Sequence, residues 1–151
     1  MDQLRIEGVK LDLLKVFSDD RGAVLHFMKS DSIGFDVFGE CYFSEVNPGI
    51  VKAWKKHLRQ IQNITVPVGK IQLVLYDDRP GISSFGQIEV YTICRPEYYY
   101  RITIPPGVWH GFKCMSDTPA LLVNCANMKH DREESISLPY DDKSIPFNWG
   151  T

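Results

Sequence analysis

The sequence predicts an all-β fold, a jelly-roll barrel of short antiparallel strands with a short irregular C-terminal extension. Stretches rich in β-branched and aromatic residues recur at close intervals along the chain. Glycine, proline, asparagine and aspartate punctuate them at turn spacing. No segment sustains the 3.6-residue apolar period of an amphipathic helix. The 151 residues suit one domain with one substantial core, and no repeat or low-complexity tract divides them. Residues 1–151 are therefore read as a single domain.

Taken in order, strands are expected near Leu11–Phe17, Ala23–Met28, Gly39–Val46, Ile50–Lys55, Ile61–Val68, Ile71–Asp77, Gln87–Cys94, Tyr98–Ile104, His110–Cys114 and Ala120–Ala126. The turns between them carry suitable chemistry: Asp19-Asp20-Arg21-Gly22, Asn47-Pro48-Gly49, Val68-Gly69-Lys70, Arg79-Pro80-Gly81 and Pro105-Pro106-Gly107. From Asn127 the pattern turns polar and irregular, which predicts an extension lying across the barrel and returning through Ile145-Pro146-Phe147-Asn148-Trp149. Trp54, Trp109 and the run Tyr98-Tyr99-Tyr100 are expected mostly in the core rather than stacked on a ligand.

Composition narrows the function classes. A net charge of −2 offers no broad basic surface for a phosphate backbone, so no nucleic-acid partner is expected. Met1–Glu7 carries charges where a leader would be apolar, and no run nears the roughly 18 apolar residues of a membrane span. The expectation is a cytoplasmic protein with no membrane partner. Cys41, Cys94, Cys114 and Cys125 form no C-x-x-C pair, so they are read as free, buried thiols in a reducing compartment.

The chemistry-bearing residues cluster in two segments. Lys55 and His57 are two apart on an extended segment, so they share one face of the sheet. From Gly49 to Gly69 the sequence reads G-x5-K-x-H-x4-Q-x6-G, ending through Gln62. This follows the spacing of the cupin pattern G-x5-H-x-H-x3,4-E-x6-G. Pro105-Pro106-Gly107-Val108-Trp109-His110 fits the second cupin element, P-x-G-x-x-H, and would deliver His110 into the same barrel mouth. The first metal-ligating histidine is replaced by Lys55 and the carboxylate by Gln62. Two imidazoles beside an ammonium group fall short of an ordinary transition-metal site, so no metal and no other cofactor is expected.

These residues, with their surroundings from about Asp19 to Trp149, resemble the dTDP-4-dehydrorhamnose 3,5-epimerase family. The carrying segments include Asp20-Arg21-Gly22, Gly39-Glu40-Cys41-Tyr42-Phe43-Ser44, Val51-Lys52-Ala53-Trp54, Tyr76-Asp77-Asp78-Arg79, Ser83-Ser84-Phe85-Gly86, the Ile104–Phe112 stretch and Ile145–Trp149. The resemblance implies a dimeric cupin barrel that binds a nucleotide-diphosphate sugar and moves a proton beside the ketone of a 4-keto-6-deoxy sugar. It also implies an exchanged N-terminal strand that places Arg21 near the partner's site.

In the family a histidine oriented by an aspartate is the base and a tyrosine is the acid. Here the base position is Lys55, the acid position is at or near Lys129, and a position where many members have glutamate is His26. His110, Arg79, Arg21 and one of Asp141 or Asp142 are retained. Lys55 is then either a base with depressed pKa or a protonated side chain paired with Asp141, Asp142 or a ligand phosphate. His57, with an unperturbed pKa of about 6.5, is the alternative base, or else satisfies a hydrogen bond at the barrel mouth. His110 polarises the ketone or orients the sugar, or else caps a strand end. His130 is the substitute acid, and Arg21 and Arg79 suit a diphosphate. Two functions stay open: an isomerase of the 3,5-epimerase type in surface-polysaccharide or deoxysugar biosynthesis, and a catalytically altered nucleotide-sugar-binding cupin.

Overall fold

The computed structural model describes residues 6–150; Met1–Arg5 and Thr151 lie outside the described residues. The strands are β1 (Lys10–Leu13), β2 (Val16–Asp19), β3 (Gly22–Leu25), β4 (Glu40–Val46), β5 (Val51–His57), β6 (Gln62–Val68), β7 (Lys70–Asp77), β8 (Ile88–Cys94), β9 (Tyr100–Ile104), β10 (Val108–Cys114), β11 (Ala120–Ala126) and β12 (Ser135–Ser137), with a 3-10 turn at Arg132–Glu134. Two five-stranded antiparallel sheets form, in the orders β1-β9-β6-β11-β4 and β12-β5-β10-β7-β8, and β2 and β3 make a separate hairpin. From β4 to β12 consecutive strands alternate between the layers, except for the β7–β8 hairpin within one sheet, the connectivity of a jelly roll. Among the described residues no helix is long and apolar enough to cross a membrane.

The main core lies between the two sheets, where Ile64, Val66, Ile71, Leu73, Leu75, Ile93, Ile102 and Ile104 are buried. A second apolar cluster, of Trp54, Val74, Trp109, Ile145 and Trp149, covers the outer face of the second sheet. Ile145 and Trp149 bring to this cluster the returning C-terminal segment that the sequence predicts. Gly111 permits it: a Cβ there would stand 2.5 Å from the Ala53 side chain and 3.0 Å from the Trp149 ring. Trp54 donates its indole N–H to the Tyr140 carbonyl at 3.1 Å, and the Trp54 and Trp149 rings lie 5.2 Å apart. Trp54, Trp109 and Tyr99 are buried as expected, whereas Tyr98 is exposed.

The structure corrects the sequence reading in three places. Leu11–Phe17 is not one strand: β1 ends at Leu13 on the edge of β9, and the chain then pairs β2 with β3. The extension is more regular than expected, because Ser135–Ser137 adds β12 to the edge of β5. All four cysteines are free, but only Cys114 is buried: Cys94 and Cys125 are half-buried, and Cys41 is exposed on β4, the outer edge of its sheet.

Candidate active site

Side-chain alternation along β5 puts Lys55 and His57 on the inner face, while Lys56 faces away. Lys56 pairs with Asp78 at 3.1 Å and lies 4.8 Å above the Trp109 ring. On the inside, Lys55 and His57 open into a cavity of about 420 Å³ that Gln62, His110, Tyr42 and Asn124 also line. That size suits a small ligand or part of a larger one. His110 stands directly across the ladder from Lys55. It is brought there by the Pro-Pro-Gly turn, where Gly107 adopts φ +86° and donates its N–H to the His57 carbonyl at 2.7 Å. The two imidazoles stack, with centroids 5.8 Å apart and planes 10° apart.

His57 Nδ1 is hydrogen-bonded to Glu134 Oε1. The other oxygen of Glu134 accepts the backbone N–H groups of Arg59 and Gln60, each at 3.1 Å. The 3-10 turn that carries Glu134 is capped by Asp131, whose carboxylate accepts the Glu133 N–H at 3.0 Å and pairs with Arg59 at 3.2 Å. Burial opposes charge on Glu134, yet the His57 bond and the two N–H groups hold its carboxyl below the usual range. Burial pushes His57 down; Glu134 pulls it up, and Lys55 and His130 push it further down. The net shift is downward, so the ring is neutral near pH 7. An ionised carboxylate only accepts, which fixes the His57 proton on Nδ1 and leaves Nε2 as a free acceptor. This is the electronic state of a general base oriented by a carboxylate.

His110 is a different kind of histidine. Complete burial pushes its pKa down to about 3, with the charges of His57 and Lys55 adding to the shift and a hydrogen bond to the Lys55 backbone opposing it. Its Nδ1 accepts the Gln62 side-chain N–H at 3.2 Å. Both features keep it neutral and hold it in place. The Lys55 side chain forms no hydrogen bond or ion pair with the described residues, and its ammonium group remains available to a ligand.

The family model for dTDP-4-dehydrorhamnose 3,5-epimerase matches residues 3–151. The chain belongs to this family. It is 33% identical to the spore coat polysaccharide biosynthesis protein SpsL of Bacillus subtilis over 148 residues, 97% of each chain. It is 35% identical to the probable low-salt glycan biosynthesis epimerase Agl13 of Haloferax volcanii, covering 95% of this chain and 94% of that one. The crystal structure of a dTDP sugar isomerase from Desulfovibrio desulfuricans shares its fold with a TM-score of 0.95 at 44% identity, covering 99% of this chain and 95% of that one. The 3,5-epimerase of Legionella pneumophila, solved with dTDP-4-keto-L-rhamnose, has the same cupin barrel, with a TM-score of 0.84 at 23% identity.

Of the residues singled out from the sequence, Lys55, His57, Gln62 and His110 meet in the cavity. Asp141 and Asp142 do not, so Lys55 has no carboxylate partner from the tail. After Leu138 exchanges backbone hydrogen bonds with Trp54, the tail crosses the outer face. Both aspartates there line a separate surface depression, and Asp142 accepts from the Ser144 N–H at 2.9 Å. Arg79 is committed to Asp77, through Nε and one terminal N–H at 2.8 Å each, and to the Glu7 carbonyl at 2.7 Å. Arg21 sits at the tip of the β2–β3 hairpin, paired with Asp19 at 2.7 Å. His26 packs edge-on against Phe17 in another depression beside Arg101. Lys129 and His130 are exposed on the loop after β11; only the charge of His130 reaches His57.

Sequence reasoning missed Tyr42 and Asn124 on the cavity wall and, at the base itself, Glu134. Its one signal is the strand-compatible Ser135-Ile136-Ser137 directly after it, which adds to β5 opposite His57. Among the described residues no three His, Cys, Asp or Glu side chains converge in a metal-binding group.

Proposed function

We propose that the protein is a sugar-nucleotide isomerase of the 3,5-epimerase type. It removes and returns a proton beside the ketone of a nucleotide-diphosphate 4-keto-6-deoxyhexose, in polysaccharide biosynthesis. The single observation that carries this reading is the His57–Glu134 pair, a neutral imidazole oriented by a buried carboxylate, with the Lys55 side chain, unpartnered among the described residues, beside it. His57 Nε2 takes the proton, and the Lys55 ammonium stabilises the developing enolate oxygen, the electrophilic role that needs no metal. In this chain the base has moved two residues along β5 from the family position, and its carboxylate comes from β12's leading turn rather than from Asp141 or Asp142. His110, through Gln62, keeps the cavity wall in register.

The family membership and the names of SpsL and Agl13 support the sugar-nucleotide class and the pathway. A homodimer belongs to the same reading. The β2–β3 hairpin exposes 57% of Phe17 and 62% of Val24, and docking it on a second copy covers them and brings Arg21 and His26 toward the partner's cavity, where a diphosphate needs guanidinium donors. The free cysteines suit the reducing cytoplasm.

The experiment is incubation with a panel of 4-keto-6-deoxy nucleotide sugars in heavy water, following deuterium at C3 and C5 by NMR. Incorporation at either carbon with a new epimer is the expected result. Tight nucleotide-sugar binding with no incorporation anywhere would overturn the catalytic reading in favour of a binding protein.

A further inference from the structure

An epimerisation needs a proton donor on the face opposite the base, and the loop at the family's acid position does not reach the cavity: Lys129 is exposed and lines none of it. The other sheet faces β5 across the cavity and contributes Tyr42 on β4 and Asn124 on β11, which are direct register partners. Asn124 Oδ1 accepts the Asn63 backbone N–H at 3.1 Å. A backbone N–H can only donate, so the orientation of this amide is fixed. Its NH2 then points at the Tyr42 hydroxyl, at 3.0 Å, and at Gln62 Oε1, at 3.5 Å. Gln62 in turn donates to His110 Nδ1. Every member of the chain has one permitted polarity, and the Tyr42 oxygen is therefore an acceptor within it. The hydroxyl's own proton is left over, on a side chain that lines the cavity.

We propose that Tyr42 is the general acid of the reaction, delivering its proton to the sugar from the sheet opposite His57. The inference rests on the isomerase reading above. Other donors in the cavity are less suited. The Lys52 ammonium is committed to the Glu45 carbonyl at 2.6 Å and the Ser44 hydroxyl at 3.2 Å. His110 is neutral and held on both sides. Lys55 stands on the same strand as the base. The step balances without a co-reactant. His57 takes the proton as the C–H bond breaks, and the electron pair moves into an enolate held by Lys55. The carbonyl re-forms as the same carbon takes the Tyr42 proton on its other face. The Asn124 N–H supports the phenolate left behind. Tyr42 is 41% exposed, so solvent restores its proton while His57 releases the one it took.

The test compares the wild-type protein with Tyr42→Phe on the heavy-water panel, with thermal melting to show that the variant folds. Exchange without inversion and inversion itself are scored separately. Tyr42→Phe is expected to lose inversion by about 100-fold or more while still exchanging the carbon-bound proton within about tenfold of wild type, because His57 still forms the enolate. A partition that shifts from inversion to exchange is something a merely structural role would not produce. Inversion retained within about threefold, or exchange and inversion lost in equal proportion, overturns the assignment and leaves the isomerase reading standing. A wild-type protein that neither exchanges nor inverts any sugar overturns both. Replacing Tyr42 with a difluorotyrosine, whose phenol is more acidic, is expected to move the alkaline limb of the kcat profile to lower pH; an unmoved limb counts against Tyr42.

Discussion

The two faces of β5 differ in what surrounds their side chains. Inward, Lys55 and His57 present to the cavity a cation with no ion pair among the described residues and an open imidazole nitrogen. Outward, Trp54 and Lys56 are saturated with partners: Tyr140, Trp149 and Phe147 for the indole, Asp78 and Trp109 for the ammonium. A one-residue alternation thus separates chemistry from packing. Substitutions on the inner face should cost rate with little stability, and substitutions against the outer face should cost stability with little rate.

The largest effect is expected from His57→Asn, which removes the base: kcat/KM should fall by about 10² to 10⁴-fold, while the loss of one partner of Glu134 lowers the melting temperature by only a few degrees, because the Arg59 and Gln60 N–H groups still hold the carboxylate. Glu134→Gln should fall almost as far, although the residue never touches substrate. The two backbone N–H groups of Arg59 and Gln60 will take the amide oxygen, as they take Oε2 now. The amide NH2 then faces His57 Nδ1 and reverses the tautomer, placing the proton on Nε2, where the base must be free. Kinetics on a variant shown by melting to be folded checks this, and full activity in Glu134→Gln would remove the carboxylate from the mechanism.

The outer face is sharpened by Trp149→Ala. Trp149 is 6% exposed, and its loss should cost about 3 kcal/mol or more, seen as a melting temperature lower by several degrees. The folded fraction should keep its kcat within about threefold. A collapse of kcat in fully folded protein would show that the tail, and not β5 alone, sets the inner face.

How far these faces could be read from the sequence follows the same division. Lys55, His57 and His110 were legible because strand alternation and the two glycine-bounded spacings dictate which side chains converge. The tail's return through Ile145–Trp149 was legible because a polar segment ending in aromatics must bury them. Glu134 was not, because it is one of several acids in Asp131-Arg132-Glu133-Glu134, and its role comes from N–H groups of residues 59 and 60. Such a contact between distant residues leaves no local pattern. Asp141 and Asp142 misled for the converse reason: their composition fits a lysine partner, but the path of the tail carries them outside. The break after Leu13 was invisible because Leu11-Asp12-Leu13-Leu14-Lys15-Val16-Phe17 contains no turn residue. The chain leaves the β9 edge there, after Leu14 donates to the Tyr99 carbonyl at 3.1 Å.

The inner face also carries a pH signature. His110 has a folded pKa of about 3 against about 6.5 in the unfolded chain. Between those values the unfolded state binds the extra proton, so stability falls as pH falls, by at most about 1.4 kcal/mol per pH unit from this group. Above about 6.5 the term is fully present. His57, also shifted down, acts in the same direction. Urea titrations from pH 7 to 4 should show the decline, and His110→Gln should flatten it; an equal slope in the variant would assign the acid sensitivity elsewhere.

The smallest effect should come from Lys56→Met, and it tests the comparison most directly because Lys55 is its neighbour. The Lys56 ammonium pair with Asp78 is partly screened, with side chains 18% and 33% exposed. Such pairs contribute about 0.5–1 kcal/mol, and the contact with the Trp109 face adds a similar amount. Met keeps the length and apolar stem that lie on the ring. The expected loss is therefore about 1 kcal/mol, or 2 to 4 °C in melting temperature, with kcat and KM unchanged. The Trp109 indole still donates to Asp78 at 2.8 Å, so the carboxylate is not stranded. A change in KM for the nucleotide sugar would mean that the outer cation is felt through the strand, and the division between the faces of β5 would fail at its closest point.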